Sequence, residues 1–239
     1  MFQTFGTIAL LALLGCGSTA PDPGSGSDLR VLFIGNSLTY THEIPELVAG
    51  LGEISDGPRV QVSEVAFGNY SLEDHWNRGD ALDSIAKGGW DVVVMQQGPS
   101  TVPANRQHLI EGSTRFSQRI RSVGARPTIY MVWPPNGDFD AVARSYTDAA
   151  LAVDGTLIPA GEAFRAVVRD HSDIAVFESD GFHPNPTGSY LAALVIYGRL
   201  ADRPVAGVTL RRPVTGITLS QAAQLEAAAD QANRDFGRD

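Results

Sequence analysis

The segment Val31-Leu-Phe-Ile-Gly-Asn-Ser37 narrows the possible folds more than any other part of this 239-residue chain. A strand with one face in water alternates apolar and polar residues. The unbroken run Val31 to Ile34 instead suits a strand covered on both faces, as in a parallel sheet between helices. Gly35 then permits a tight turn, and Asn36-Ser37 delivers a small hydroxyl just past the strand's C-terminal edge, where open α/β sheets bind ligands. That hydroxyl can serve as a nucleophile or as the N-cap of a following helical turn.

The same pattern recurs downstream. Val60 to Phe67 reads as a second strand ending at Gly68-Asn69-Tyr70. Asp91 to Met95, introduced by Gly88-Gly89-Trp90, reads as a third that closes in Gln96-Gln97-Gly98-Pro99-Ser100. Pro127 to Trp133 and the shorter Gly155 to Pro159 supply a fourth and a fifth. Helical patterns separate them over Glu43 to Gly52, part of Leu72 to Lys87, Asn105 to Val123 and Phe139 to Val153. Glu162 to Arg169 follows the fifth strand, and Thr187 is the expected N-cap of a helix over Gly188 to Leu200. Strands alternating with helices predict an α/β fold with a parallel sheet covered on both faces. Beyond Ala201 the pattern changes. Thr218-Leu-Ser-Gln221 has the form of a capping box before a helix to about Phe236, and residues 202–239 read as an extension whose helix packs on the domain.

The chain has one cysteine, Cys16, so no internal disulfide is available. It directly follows the apolar run Ile8 to Leu14, which is too short to span a bilayer but fits the core of a signal peptide. Leu13-Leu14-Gly15-Cys16 resembles the lipobox of bacterial lipoproteins, which implies a signal peptide over 1–15 and lipid attachment at Cys16. Residues 1–15 carry no Lys or Arg, a departure from the usual start of such segments. Gly17 to Asp28 is almost all small, polar or Pro residues, so 16–28 is expected to form a flexible tether to the cell envelope, with the membrane as partner through the anchor. A formal net charge of −9 argues against nucleic acid as a partner. Arg115, Arg119 and Arg121 read as a solvated helix face.

Asp180 and His183 read by themselves either as a surface-loop Asp with an incidental His or as the carboxylate and base that a nucleophilic Ser37 would need. Three apart in a loop stiffened by Pro184 and Pro186, they are spaced so that a carboxylate can hold an imidazole in one tautomer. A serine hydroxyl needs such a base, being a weak nucleophile at neutral pH. Gly35-Asn36-Ser37-Leu38 and Asp180-Gly-Phe-His183-Pro184 resemble the first and last motif blocks of the SGNH (GDSL-like) hydrolase superfamily, over roughly 29–201. The resemblance implies a flavodoxin-like three-layer α/β/α sandwich on a five-stranded parallel sheet. It further implies Ser37 as nucleophile, His183 as base and Asp180 as its orienting carboxylate. It also implies an oxyanion hole from the N–H of Ser37, the N–H of Gly68 and a third-block side chain. Where the family commonly has Gly-x-Asn-Asp, this chain has Gln96-Gln97-Gly98-Pro99. Gln97-Gly98 resembles the Gln-Gly of acetylesterase branches, making Gln97 the expected third donor and Gln96 the alternative.

Tyr40, Asn69, Trp76 and Trp133, together with Thr41, Tyr70 and Asn136, are the residues expected to rim the pocket and contact substrate. His42, His75, His108 and His171 read as surface or locally bonded histidines, with no metal-type spacing. The Gly-rich turns match no phosphate-binding fingerprint, so no cofactor is expected. The functional expectation is a lipid-anchored serine esterase acting on short acyl groups, such as O-acetyl groups on carbohydrate. A lipase or thioesterase for longer chains and a tethered, non-catalytic carbohydrate-binding module are the alternatives.

Overall fold

The computed structural model describes residue 1 and residues 28–135, 137–210 and 216–236. All but the first residue of the expected signal peptide, Cys16, nearly all of the tether and Asn136 therefore lie outside the described residues.

Strand β1 (Leu29–Gly35) leads into a single helical turn, α1 (Ser37–Tyr40), then a 3-10 turn at Thr41–Glu43 and helix α2 (Ile44–Ile54). Strand β2 (Val60–Ala66) is followed by α3 (Leu72–Arg78) and α4 (Asp80–Ala86), which form two helices because Gly79 between them takes φ +95°. Next come β3 (Val92–Met95), α5 (Pro103–Ser122), β4 (Arg126–Tyr130), α6 (Phe139–Ala152), β5 (Thr156–Ile158) and α7 (Ala160–Asp170). Helix α8 (Pro186–Leu200), a 3-10 turn at Val208–Leu210 and helix α9 (Leu219–Phe236) complete the described chain.

All strand pairs are parallel, in the order β2-β1-β3-β4-β5. The chain steps outward from β1 to β2, then crosses back over β1 to β3 and continues toward β5. Right-handed crossovers put α2 on one face and α3 to α6 on the other. Helices α7 and α8 join α2, with α9 outside them against both. The sheet's order reverses between β1 and β3, and the crevice beyond their C-terminal ends is where such sheets hold ligands. Sequence follows position: Val31 to Ile34 are each at most 1% exposed, and all of β3 is buried, whereas the edge strand β2 carries exposed polar residues.

Two boundaries and one helix face differ from expectation. Strand β4 stops at Tyr130, and Met131 to Trp133 continue as buried coil; Met131 N–H still reaches the Ile158 carbonyl at 2.9 Å. Helix α8 begins at Pro186, capped by Asn185 rather than Thr187, with the Gly188 N–H donating to Asn185 Oδ1 at 2.9 Å. The Arg face of α5 is only partly solvated. Arg115 lies over the Trp76 ring at 4.2 Å, and Arg121 Nη2 donates to the carbonyls of Val153 and Asp154 at 2.6 and 2.7 Å. The capping box before α9 is present: Gln221 N–H donates to Thr218 Oγ1 at 3.2 Å and Thr218 N–H to Gln221 Oε1 at 3.0 Å.

Candidate active site

At the end of β1 the chain must turn immediately, and the turn is held by side-chain amides. Asn36, not Ser37, is the N-cap of α1: Asn36 Oδ1 accepts from the Leu38 N–H at 3.1 Å. Its Nδ2 donates to the Tyr70 carbonyl at 3.0 Å, and its backbone N–H donates to Gln96 Oε1 at 2.9 Å. Gly35 is required here, because a Cβ would overlap Thr39 Oγ1 and Gln96 Oε1. With capping done by Asn36, the Ser37 hydroxyl is free to bond elsewhere.

It bonds across the crevice. Ser37 Oγ is 3.0 Å from His183 Nε2, and His183 Nδ1 is 2.6 Å from Asp180 Oδ2. An ionised carboxylate only accepts, so Nδ1 carries the proton and the Nε2 lone pair faces the hydroxyl. The other Asp180 oxygen accepts from the backbone N–H groups of Phe182 and His183, both at 2.9 Å. The bond to His183 first, and those two N–H groups next, pull the Asp180 carboxyl down to about 2. The loop is pinned at its ends as well. Glu178 N–H donates to the His183 carbonyl at 2.8 Å, and His42 Nε2 lies 2.9 Å from Glu178 Oε1.

Beside Ser37 opens a cleft of about 330 Å³ whose lining includes Ser37, Asn69, Tyr70, Gly98, Asn105, His108 and Phe182. Among the described residues no group accepts from the backbone N–H of Ser37 or of Gly68. Asn69 takes a left-handed φ of +64°, and the side chains of Asn69, Asn105 and His108 have no hydrogen-bond partner among the described residues.

The glutamines do not take the place expected for the third donor. Gln97 Nε2 spends both hydrogens on Ser100 Oγ (2.9 Å) and the Asn105 carbonyl (3.3 Å), while its Oε1 accepts from Leu72 N–H at 3.2 Å. Gln96 Nε2 is equally committed, to Asn36 Oδ1 at 2.9 Å and the Gln97 carbonyl at 2.5 Å. An amide has two hydrogens, so neither retains one for a ligand in this arrangement. Gln97 lines the cleft, and Gln96 is buried behind the Asn36 turn.

The aromatic residues also divide. Tyr40 is 39% exposed with its hydroxyl over Gly68, and it is not among the residues lining the cleft. Trp76 is instead packed edge-on against Phe116, at 5.3 Å between α3 and α5, and does not line the cleft. Trp133 is wholly buried, stacked on Phe164 at 3.6 Å, with its indole N–H donating to the Phe182 carbonyl at 2.8 Å. It supports the His183 loop from the core instead of touching the cleft. Sequence reasoning missed Asn105 and His108, whose i,i+3 spacing on the first turns of α5 puts them on one face. It also placed His75 at the surface or in a local bond; the ring is 1% exposed and reaches the Gly35 carbonyl. Among the described residues no group of three or more His, Cys, Asp or Glu is placed to hold a metal ion.

No protein-family model and no curated protein matches the sequence. Solved structures do match. A protein from Slackia heliotrinireducens assigned as an SGNH hydrolase is 29% identical, with a TM-score of 0.59 over 71% of this chain and 97% of that one. A DUF4886-family protein from Bacteroides uniformis is 19% identical, with a TM-score of 0.75 over 88% of this chain and 96% of that one. A variant of a Geobacillus acetyl-xylooligosaccharide esterase is 15% identical, with a TM-score of 0.56 over 73% of this chain and 93% of that one. The fold is that of the SGNH-like hydrolases, a five-stranded parallel sheet between helical layers. The chain is a hydrolase of this superfamily.

Proposed function

We propose that the chain is a serine esterase that removes short acyl groups from a polar, hydroxyl-rich alcohol such as a carbohydrate. The observation that carries this reading is the continuous line Ser37 Oγ, His183 Nε2, His183 Nδ1, Asp180 Oδ2, with separations of 3.0 and 2.6 Å at its two hydrogen bonds. Ser37 attacks the ester carbonyl while His183 takes the hydroxyl proton. His183 then gives that proton to the departing alkoxide, leaving an acyl-serine. A water activated by the same imidazole releases the acid and restores Ser37. Asp180 keeps the ring in the required tautomer and stabilises the imidazolium formed in each half-reaction. In this reading the N–H groups of Ser37 and Gly68 receive the negative charge that builds on the carbonyl oxygen, a hole of two backbone donors and no glutamine amide.

The character of the cleft supports the substrate class. Its free side-chain groups are the amides of Asn69 and Asn105 and the imidazole of His108, which suit hydroxyl groups better than an alkyl chain. A long acyl chain needs an apolar groove to gain the roughly 0.8 kcal/mol available per buried methylene. Acetyl xylan and acetyl-xylooligosaccharide esterases are among the proteins of like fold. Residues 1–28 belong to the same reading, as a signal peptide, a lipidated Cys16 and a tether that hold the domain at a bacterial cell envelope.

The test is labelling of the purified protein by a fluorophosphonate, followed by kcat/KM on p-nitrophenyl esters from acetate to octanoate and acetate release from acetylated xylo-oligosaccharides. Labelling at Ser37, a preference for acetate and release of acetate from the sugar are expected. Preference for octanoate with no acetate released would replace this reading with a lipase or thioesterase. Absence of both labelling and turnover would point to a binding module.

A further inference from the structure

His75 lies on α3 between Asp74 and Trp76, yet its ring sits beneath the turn that carries Ser37. Its Nε2 is 2.7 Å from the Gly35 carbonyl oxygen. A carbonyl only accepts, so Nε2 bears the proton and Nδ1 the lone pair. Nδ1 is buried with no partner among the described residues, and the ring is flanked by Phe67 at 5.8 Å and Tyr70 at 5.2 Å between centroids. Phenylalanine would fill this slot without leaving a polar atom unpaired, so packing alone gives no reason for an imidazole. What the imidazole adds is one N–H, aimed at one carbonyl.

That carbonyl is a junction. Gly35 O also accepts from the Phe67 N–H at 3.2 Å. Gly35 precedes Asn36-Ser37 and Phe67 precedes Gly68, so a single oxygen ties the turn bearing the hydroxyl to the turn bearing the second backbone donor. Asn36 Nδ2 donating to Tyr70 O closes the same seam farther along. We infer that His75 is a positioning residue: by donating from Nε2 to the Gly35 carbonyl it fixes the Ser37 turn against the Gly68 turn, and with it the spacing between nucleophile and oxyanion donors. The inference rests on the esterase reading above. Burial lowers the pKa of His75 below the ordinary histidine range, which keeps the ring neutral and its unpaired nitrogen free of a proton that would need an acceptor.

The test compares three substitutions in the full chain, each assayed on p-nitrophenyl acetate with active sites counted by fluorophosphonate and with Tm measured alongside. Gln carries an amide nitrogen near the position of imidazole Nε2, Asn is polar but too short to reach Gly35, and Phe has the bulk without the donor. His75→Phe and His75→Asn are expected to lower kcat per titrated site by about 10- to 100-fold with little change in KM, the scale that misplacing a reacting group costs. His75→Gln is expected to restore kcat to within about fivefold of the parent. If His75→Phe does not fold, the contrast between Gln and Asn decides. Parental kcat in the Phe or Asn variant, or equal loss in Gln and Asn variants, overturns the positioning role. A parent protein that neither turns over ester nor takes the probe refutes the esterase reading, and the positioning role falls with it.

Discussion

The indole N–H of Trp133 donates to the carbonyl of Phe182 at 2.8 Å, tying the His183 loop to the floor of the core. Asp180 and His183 are partly exposed, and a loop held only by its own internal bonds would give their geometry to thermal motion. Trp133, stacked on Phe164, is a fixed point from which the next peptide is aimed, and His183 is the residue after Phe182.

Gln97→Ala separates scaffold from chemistry. In the scaffold role seen here, the substitution leaves the Leu72 N–H without its acceptor, and Tm should fall with a destabilisation of about 1–3 kcal/mol. A donor to the oxyanion would show the opposite pattern, a loss of about a hundredfold in kcat with little change in Tm.

Asp180→Asn should lower kcat by about 10³- to 10⁴-fold, the scale on which a wrongly held tautomer acts. Its effect on stability carries a pH signature. The Asp180 carboxyl is depressed to about 2 in the folded chain, below its unfolded value of about 3.9. The stability it contributes is therefore complete above the unfolded value and lost as pH falls through the folded one. Melting curves should show a parent-minus-variant difference that is constant above about pH 4 and closes toward pH 2. A difference that closes near neutrality would contradict the assignment of this carboxylate.

Gly35→Ala should destabilise the protein by about 1–3 kcal/mol or prevent its folding, since the added methyl overlaps Thr39 Oγ1 and Gln96 Oε1. Circular dichroism melts check this directly. An alanine variant as stable and active as the parent would mean the turn is looser than described.

If Cys16 carries the proposed lipid anchor, Cys16→Ala should release the protein from membranes on fractionation of expressing cells. Unchanged membrane partitioning would refute lipidation at that residue.

The sheet was legible because strands buried on both faces are written as continuous apolar runs, and Val31 to Ile34 and Val92 to Met95 are such runs. The same signal misplaced the end of β4. Met131 to Trp133 are as apolar and as buried as a strand, and composition does not distinguish a ladder from buried coil. Ser37, Asp180 and His183 were each ambiguous alone and were singled out by the resemblance of their two segments to the first and last SGNH motif blocks. The glutamines could not be placed this way, because an amide's direction is set largely by partners far along the chain: Asn36 for Gln96 and Leu72 for Gln97. His75 was hidden by its neighbours, since a histidine among Glu73, Asp74 and Arg78 has the look of a solvated helix face.

Helix α8 is buried from Gly188 through Gly198, and α9 lies along it, with Asn233 Nδ2 bonded to the Val195 carbonyl at 3.1 Å. During synthesis, Ser37, Asp180 and His183 have all been made before α9 exists. A released chain that ended at Leu200 would hold every proposed reacting group, yet it would present the apolar side of α8 that α9 covers. Such a chain invites self-association and chaperone capture. A helix that contributes no proposed reacting group thus keeps the apolar flank of α8 out of water, and the solubility of the domain depends on it.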